Sequence, residues 1–337
     1  MCRRSILVCF GFLFALLPLV ASAQVLHTQT ANGDVWLLED GDSWRLEHVG
    51  SADRLPVTIR SEISSLQSSG TDRWIAAGVE HVEGTMRLAV VDGRETARLL
   101  PRPATTGALL GTPAVIAGPF GPRAIAWLEG DAHDRLEVRT AQWTGWGWTE
   151  SRILAPTAPG SQTALTGATL GDGNGLIVWV AFDGVDDELM WSRFDGNAWS
   201  TPRPLAADNQ VPDLTPALYA TPDGGAVVAW ARFDGKDYRL ALARFDGDDW
   251  STPRTVGPKG AILPRWHAAG DTAVVIHRTA RPGNWALHEV GADSAVLRSL
   301  EVAGDPEVSP IVAAISADGI VIRDRIDAPP KSLGWVR

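Results

Sequence analysis

From residue 24 onward the apolar residues of this chain fall in short runs rich in Val, Ile, Ala and Trp, each cut off by a turn signal. No stretch keeps a helical period. GLIVWVAFDG, with Trp179, Asp183 and Gly184, and GAVVAWARFDG, with Trp230, Asp234 and Gly235, are the clearest runs; PRAIAWLEG, DRWIAAGVE, TAVVIHRTA and GIVIRDRI are looser relatives. Each predicts a strand, because β-branched and aromatic side chains fit a pleated, buried surface. Asp-Gly between two such runs predicts a hairpin, since the turn needs a positive φ that glycine adopts without steric cost.

The runs repeat at long range. RFDGNAWSTPRPL (193–205) and RFDGDDWSTPRTV (244–256) are near copies 51 residues apart. The pattern Asp-Gly-x-x-Trp recurs at Asp40, Gly41, Trp44; Asp195, Gly196, Trp199; and Asp246, Gly247, Trp250. Degraded copies keep Trp143, Gly145 and Trp148, or Asp92 and Gly93, and a worn one lies near Gly291, at steps of about 52, 52, 51, 51 and 45 residues. A further apolar run precedes each unit: GTPAVIAG, SQTALTGA, LTPALYAT, ILPRWHAA, VSPIVAAI and, more loosely, IRSEISSL. A period in this range marks a repeat architecture.

One unit therefore reads as four short antiparallel strands, and such sheets repeated about an axis make a β-propeller. The expected fold is all-β, a six-bladed propeller. The chain begins with the last two strands of a unit (GDVWLLED, SWRLEHV) and ends with the first two (SPIVAAIS, GIVIRDR), so residues 33–48 are expected to pair beside 309–324 and close the ring in one shared blade. Segments 24–30 and 329–337 are left over, and with them a seven-bladed alternative. The recurring turn tryptophan is expected to be buried against the next blade, where an indole contributes roughly 2–3 kcal/mol.

Residues 1–23 carry Arg3 and Arg4, an apolar run to Val20, and Ala21, Ser22, Ala23, the pattern of a cleaved signal peptide. The expectation is an exported protein, periplasmic or extracellular, with no stable membrane insertion and one propeller domain over 24–337. Both cysteines, Cys2 and Cys9, lie in the leader, so the mature chain can form no disulfide and no cysteine-ligated metal site. Without Arg3 and Arg4 it has 28 Lys plus Arg against 40 acidic residues, a net charge near −12. That balance argues against nucleic acid and anionic membrane surfaces as partners.

Candidate chemistry is sparse. Aligning the runs on Ser61, Pro113, Thr163, Pro216, Pro264 and Pro310 puts Glu62 and Arg265 at one ring position and Ser64, Thr166, Tyr219 and His267 two residues further, on the same side of a strand. An acid, a base, a phenol and an imidazole around a channel could form a ligand or hydrolytic site. In WTGWGW, Trp146 sits at a hairpin tip between glycines, where an exposed indole can stack on a sugar or anchor a partner. The acidic turns DGVDDE and DGDD lack calcium-loop spacing, the seven histidines show no paired-ligand spacing, and no GxSxG elbow, phosphate loop or dinucleotide fingerprint occurs. No metal and no cofactor is expected.

The Asp-Gly-x-x-Trp turn between the last two strands of a unit resembles the Asp-box (BNR-type) repeat of sialidase-like six-bladed propellers. It departs by placing Arg193 or Arg244 where the Asp-box has Ser or Thr, and by setting glycine directly after aspartate. The turn is also similar to the W-D-G-x-x-W hairpin of six-bladed fucose-binding lectins, but Trp191 and Leu242 stand where those lectins carry Glu. The resemblance implies architecture and transfers no functional residue. The leading expectation is a non-catalytic binding module that recognises carbohydrate or a protein through loops at one channel face, by way of Glu62, Arg265, Tyr219, His267 and Trp146. The alternatives are a carbohydrate-active hydrolase or lyase at the channel mouth and an envelope assembly scaffold.

Overall fold

The structure, a computed structural model, describes residues 25–335 apart from 31–32, 41–42, 50–56, 60–61, 70–71, 94–96, 108, 132, 134, 158–159, 172, 207–209, 270–271, 305–309, 317 and 324–328; for the strands between 25 and 59 it describes the backbone alone. Residues 1–23, expected to be a signal peptide, and Gly41 of the first Asp-Gly turn lie outside the described residues. Those residues contain strands and turns and no helix, so none is long and apolar enough to cross a membrane.

The strands form antiparallel sheets in chain order. Six have four strands, spanning Val25–Ile59, Glu62–Leu99, Leu110–Ala155, Gln162–Pro204, Asp213–Val256 and Ile262–Ala303; a seventh, Ile311–Gly334, has three. They are numbered one to seven below. The six four-stranded sheets match the unit read from the repeats. The shared closing sheet does not form: Gly33–Asp40 pairs with Val25–Thr30 and Ser43–Val49, while Gly319–Arg323 pairs with Ile311–Ile315 and Lys331–Gly334. The leftover segments are the reason. Val25–Thr30 and Lys331–Gly334 each satisfy a local strand edge, so neither chain end keeps a place for the other; the six four-stranded sheets are consistent with the expected six-bladed propeller, and a three-stranded sheet stands beside them.

Consecutive sheets stack face to face. The second strands are therefore buried on both sides, and Ala124–Leu128, Leu176–Val180 and Ala226–Ala231 read as continuous apolar runs instead of alternating ones. Trp127, Trp179 and Trp230 each pack on the preceding sheet, among residues such as Ile75 and Val90, Ala126 and Val138, or Val178 and Leu189. Each of these buried indoles needs an acceptor for its N–H. Glu129, Gln162 and Asp213 supply one at 2.7, 2.8 and 2.8 Å.

Opposite each of these tryptophans the first strand bulges. Its pairing skips between Gly111 and Ala114, Thr163 and Thr166, and Leu214 and Ala217, and again between Ile262 and Arg265, opposite His277. Thr112, Ala164, Thr215 and Leu263 take positive φ there, at 33°, 47°, 51° and 52°. These are non-glycine residues in a costly conformation, maintained because the bulge makes room for the ring behind it.

The repeated turn has a fixed design. Asp195 Oδ1 accepts from the amides of Asn197 and Ala198, and Asp246 Oδ1 from those of Asp248 and Asp249. Gly196 and Gly247 provide φ of +94° and +112°. The turn tryptophans are half-buried, not fully buried as expected: Trp199 lies on Phe194 at 5.2 Å, and Trp250 on Phe245 and on Trp191 of the preceding sheet at 5.2 and 6.2 Å. Their burial is shared with arginine. Arg123 donates to Gly173 O and Gly196 O of the next sheet at 3.0 and 2.9 Å, Arg193 to Gly247 O, and Arg244 to Ala292 O. The Arg of the RFDG repeat is thus a clasp onto the neighbouring turn.

Candidate functional site

The first strands of sheets two to six run side by side, and their polar side chains stitch one edge to the next. Ser64 Oγ donates to Pro113 O at 2.7 Å, Ser69 Oγ to Gly118 O, and Ala117 N donates to Thr169 Oγ1 at 2.8 Å. Gln67 spans further, donating to Gly167 O at 3.3 Å and accepting from Thr169 N at 3.1 Å. Strand edges that would otherwise be open are closed this way.

These strands enclose a cavity of about 650 Å³ lined by residues of sheets two to six. It extends to the hairpins that join first and second strands, at Pro119, Gly171, Gly173, Thr221 and Pro222. In a four-stranded meander the third-to-fourth turns lie on that same face, as the two hydrogen bonds that Arg123 donates to Gly173 O and Gly196 O illustrate. On one wall Tyr219 of sheet five stacks on Trp266 of sheet six, with centroids 5.4 Å apart and planes 28° apart, and Trp266 Nε1 donates to Ala217 O at 3.0 Å. Both rings are half-buried.

Of the residues singled out in the sequence, Arg265 and Tyr219 line this cavity, together with Ser64 and Thr166. The others do not. Glu62 is the exposed first residue of its strand, 3.3 Å from His81 Nε2, and His267 is buried in the wall. Trp146 is 84% exposed at a turn on the mouth face, held by bonds between Thr144 and Gly147. The expected ring register also shifts. The bulges align Thr166 with Arg265 and Ala217, not with Tyr219, because Thr163 corresponds to Leu214 and not to Pro216. Trp266 carries half of the aromatic wall and was passed over, although ILPRWHAA set it beside Arg265.

Among the described residues the lining contains no Asp, Glu or His, and Arg265 is its single Lys or Arg. At the rim, Asp223 is held at about 2 by the Thr221 hydroxyl and by Arg244, which donates at 2.7 Å. The turn aspartates are engaged as caps: the amides of Ala198 and Asn197 lower Asp195, and those of Asp249 and Asp248 lower Asp246. Among the described residues no three His, Cys, Asp or Glu side chains gather in a group that could hold a metal ion.

Solved structures similar to this one include the BP39L lectin from Burkholderia pseudomallei, at 15% identity over 90% of this chain and 95% of that one with a TM-score of 0.57. The Aleuria aurantia lectin in complex with alpha-methyl-L-fucoside is 12% identical over 86% and 97%, with a TM-score of 0.53. The polysaccharide lyase Uly1 is 11% identical over 90% and 86%, also at 0.53. The chain shares their β-propeller fold. No family model matches the sequence, and no curated protein matches it.

Proposed function

We propose that the chain is an exported, non-catalytic β-propeller that binds carbohydrate at the mouth of its channel. The observation that carries the reading is the Tyr219–Trp266 stack in the wall of a 650 Å³ cavity. Flat, half-buried aromatic faces beside hydroxyls and backbone carbonyls suit a sugar ring, whose C–H face is apolar and whose rim is polar. The lectins among the similar folds support this at the level of architecture. Most glycoside hydrolases use two positioned carboxylates, and sialidases a tyrosine activated by one; the described lining offers no carboxylate. Glu62 and His267, the other half of the expected polar constellation, lie apart from the cavity, which favours binding over turnover. The leader-like pattern of residues 1–23 supports export, and Trp146 on the same face provides a second contact for an extended glycan.

A glycan array probed with residues 24–337, followed by assay for product release, tests the proposal. Binding without product, lost in Trp266→Ala, is the expected result. Product release from a bound polysaccharide would establish the hydrolase or lyase alternative instead, and absence of binding to any saccharide would end the carbohydrate reading.

A further inference from the structure

Resting on that reading, we infer that the ligand is a polysaccharide held as an extended chain, which runs from the cavity over the turns of sheet three and stacks on Phe120 and Trp146. At 90% and 84% exposure these are the two most exposed large apolar side chains among the described residues. Both belong to one sheet and one face: Phe120 is on the turn from first to second strand, Trp146 on the turn from third to fourth. The equivalent positions of the neighbouring sheets are polar. The bond from Thr144 N to Gly147 O matches those from Asp195 N to Ala198 O and from Asp246 N to Asp249 O, which sets Trp146 in register with Asn197 and Asp248. Where sheet three turns on Pro119 and Phe120, sheets four and five have Gly-Asp-Gly and Pro-Asp-Gly. A single exposed apolar residue needs no explanation, but two aromatic rings at neighbouring turns of one sheet mark a surface that a ligand covers.

The surroundings identify a sugar chain as the occupant. Both turns are firmly held. Arg73 of sheet two, ion-paired with Asp92 at 2.8 Å, donates to Phe120 O. At the other turn Thr144 N and Oγ1 each donate to Gly147 O at 2.8 Å, Trp143 and Trp148 meet edge to face at 5.1 Å, and Gln142 Nε2 reaches Asn197 O of sheet four at 2.7 Å. Gly121, Gly145 and Gly147 flank the two rings. The rings therefore stand singly, roughly 10 Å apart at two strand spacings, and form no continuous apolar patch such as a protein interface buries at its core. Sugar stacking needs no such patch, since each ring takes one sugar face and the polar turns between them meet hydroxyls. The track is continuous with the cavity, because Pro119, the neighbour of Phe120, lines it. A chain leaving the Tyr219–Trp266 wall across the mouth meets Phe120 first and Trp146 two strands further from the axis. Contacts linked through one chain reinforce each other, so affinity grows with chain length.

The test uses residues 24–337 and titration calorimetry with matched pairs of short and long oligomers: cellobiose and cellohexaose, xylobiose and xylohexaose, chitobiose and chitohexaose. At least one hexasaccharide is expected to bind about 10-fold or more tightly than its disaccharide, the gain for added ring stacking. Phe120→Ala and Trp146→Ala should each remove most of that gain and leave the disaccharide affinity unchanged, which separates stacking from the statistical advantage of a longer chain. Both side chains are on the surface, and urea unfolding confirms that the variants keep the fold. Equal affinity for the short and long oligomers, or a gain that survives both substitutions, overturns the inference and leaves binding in the cavity intact. Hexasaccharide binding that is lost in Trp146→Ala but unchanged in Trp266→Ala overturns the cavity reading and leaves the outer contact. Sedimentation with phosphatidylcholine vesicles that depends on the two rings, without any gain from chain length, assigns them to a lipid surface and overturns the inference. Failure of all three pairs also overturns it, and failure of the array as well ends the carbohydrate reading.

Discussion

Acidification should destabilise this protein through one pair of side chains, at the place where sheet six departs from its neighbours. His277 faces the first-strand bulge where sheets three to five have Trp127, Trp179 and Trp230. Its Nε2 lies 3.1 Å from Nε2 of His288, both rings are buried, and Ser299 Oγ is 2.8 Å from His288 Nδ1. The network has one neutral solution. Arg278 O can only accept, so His277 Nδ1 carries its proton and Nε2 is bare; His288 must donate Nε2–H to it and accept from the Ser299 hydroxyl. A second proton would set N–H against N–H. Desolvation lowers both imidazoles, and His277 lowers His288 further, to about 3 from its ordinary 6.5. The unfolded chain therefore binds protons that the folded chain excludes. Stability is complete above pH 6.5 and is lost as the pH falls toward 3, at about 1.4 kcal/mol per pH unit for one group. At pH 5 His288 alone removes about 2 kcal/mol, a large part of an ordinary folding free energy. Asp223, held at about 2, stays ionised throughout that window. Across the sheet interface, Arg239 donates to the carbonyl of Gly257, a residue that lies beside the two rings, and is ion-paired with Asp234. Urea unfolding at pH 7.5 and 5.0, with nitrogen NMR of the two imidazoles, provides the check. A loss below about 0.5 kcal/mol, or either ring titrating near its ordinary 6.5, would refute the reasoning.

Other outcomes follow from the packing and the clasps. Trp179→Ala should cost about 3–5 kcal/mol in urea unfolding, as for a large ring removed from a filled core, while Trp146→Ala should stay within about 0.5 kcal/mol. Arg193→Ala should cost about 1–3 kcal/mol, because it leaves the Gly247 carbonyl without its charged donor. Ala164→Gly, normally unfavourable within a strand, should be neutral or stabilising by up to about 1 kcal/mol in thermal unfolding, since φ there is +47°. A loss above about 1 kcal/mol would show that the bulge is not strained.

Strand type, repeat length and the paired hairpins were legible because each rests on local chemistry: β-branched runs for strands, Asp-Gly for turns. Ring closure was not, because pairing the chain ends depends on whether Val25–Thr30 and Lys331–Gly334 form strands of their own, and neither carries a strong strand signal. The ring register failed at Thr163, where a proline-based alignment could not register a bulge made at Ala164. Bulges of this kind are set by the tryptophan on the adjoining strand, so the information lies in the partner and not in the run itself. The RFDG arginine was read as a departure from the Asp-box; its role became visible only once sheets were set side by side. Of the residues singled out, Arg265 and Tyr219, picked from their approach to the axis, do line the cavity, whereas Glu62, taken in by the same alignment, has its exposed carboxylate beside His81.

The central claim, that the channel wall takes a sugar on the Tyr219–Trp266 stack, is tested most directly by a crystal structure of residues 24–337 with an array-positive oligosaccharide bound. The account predicts density for a ring stacked on Tyr219 or Trp266. A saccharide bound between the outer turns, with the cavity occupied by water alone, would contradict it.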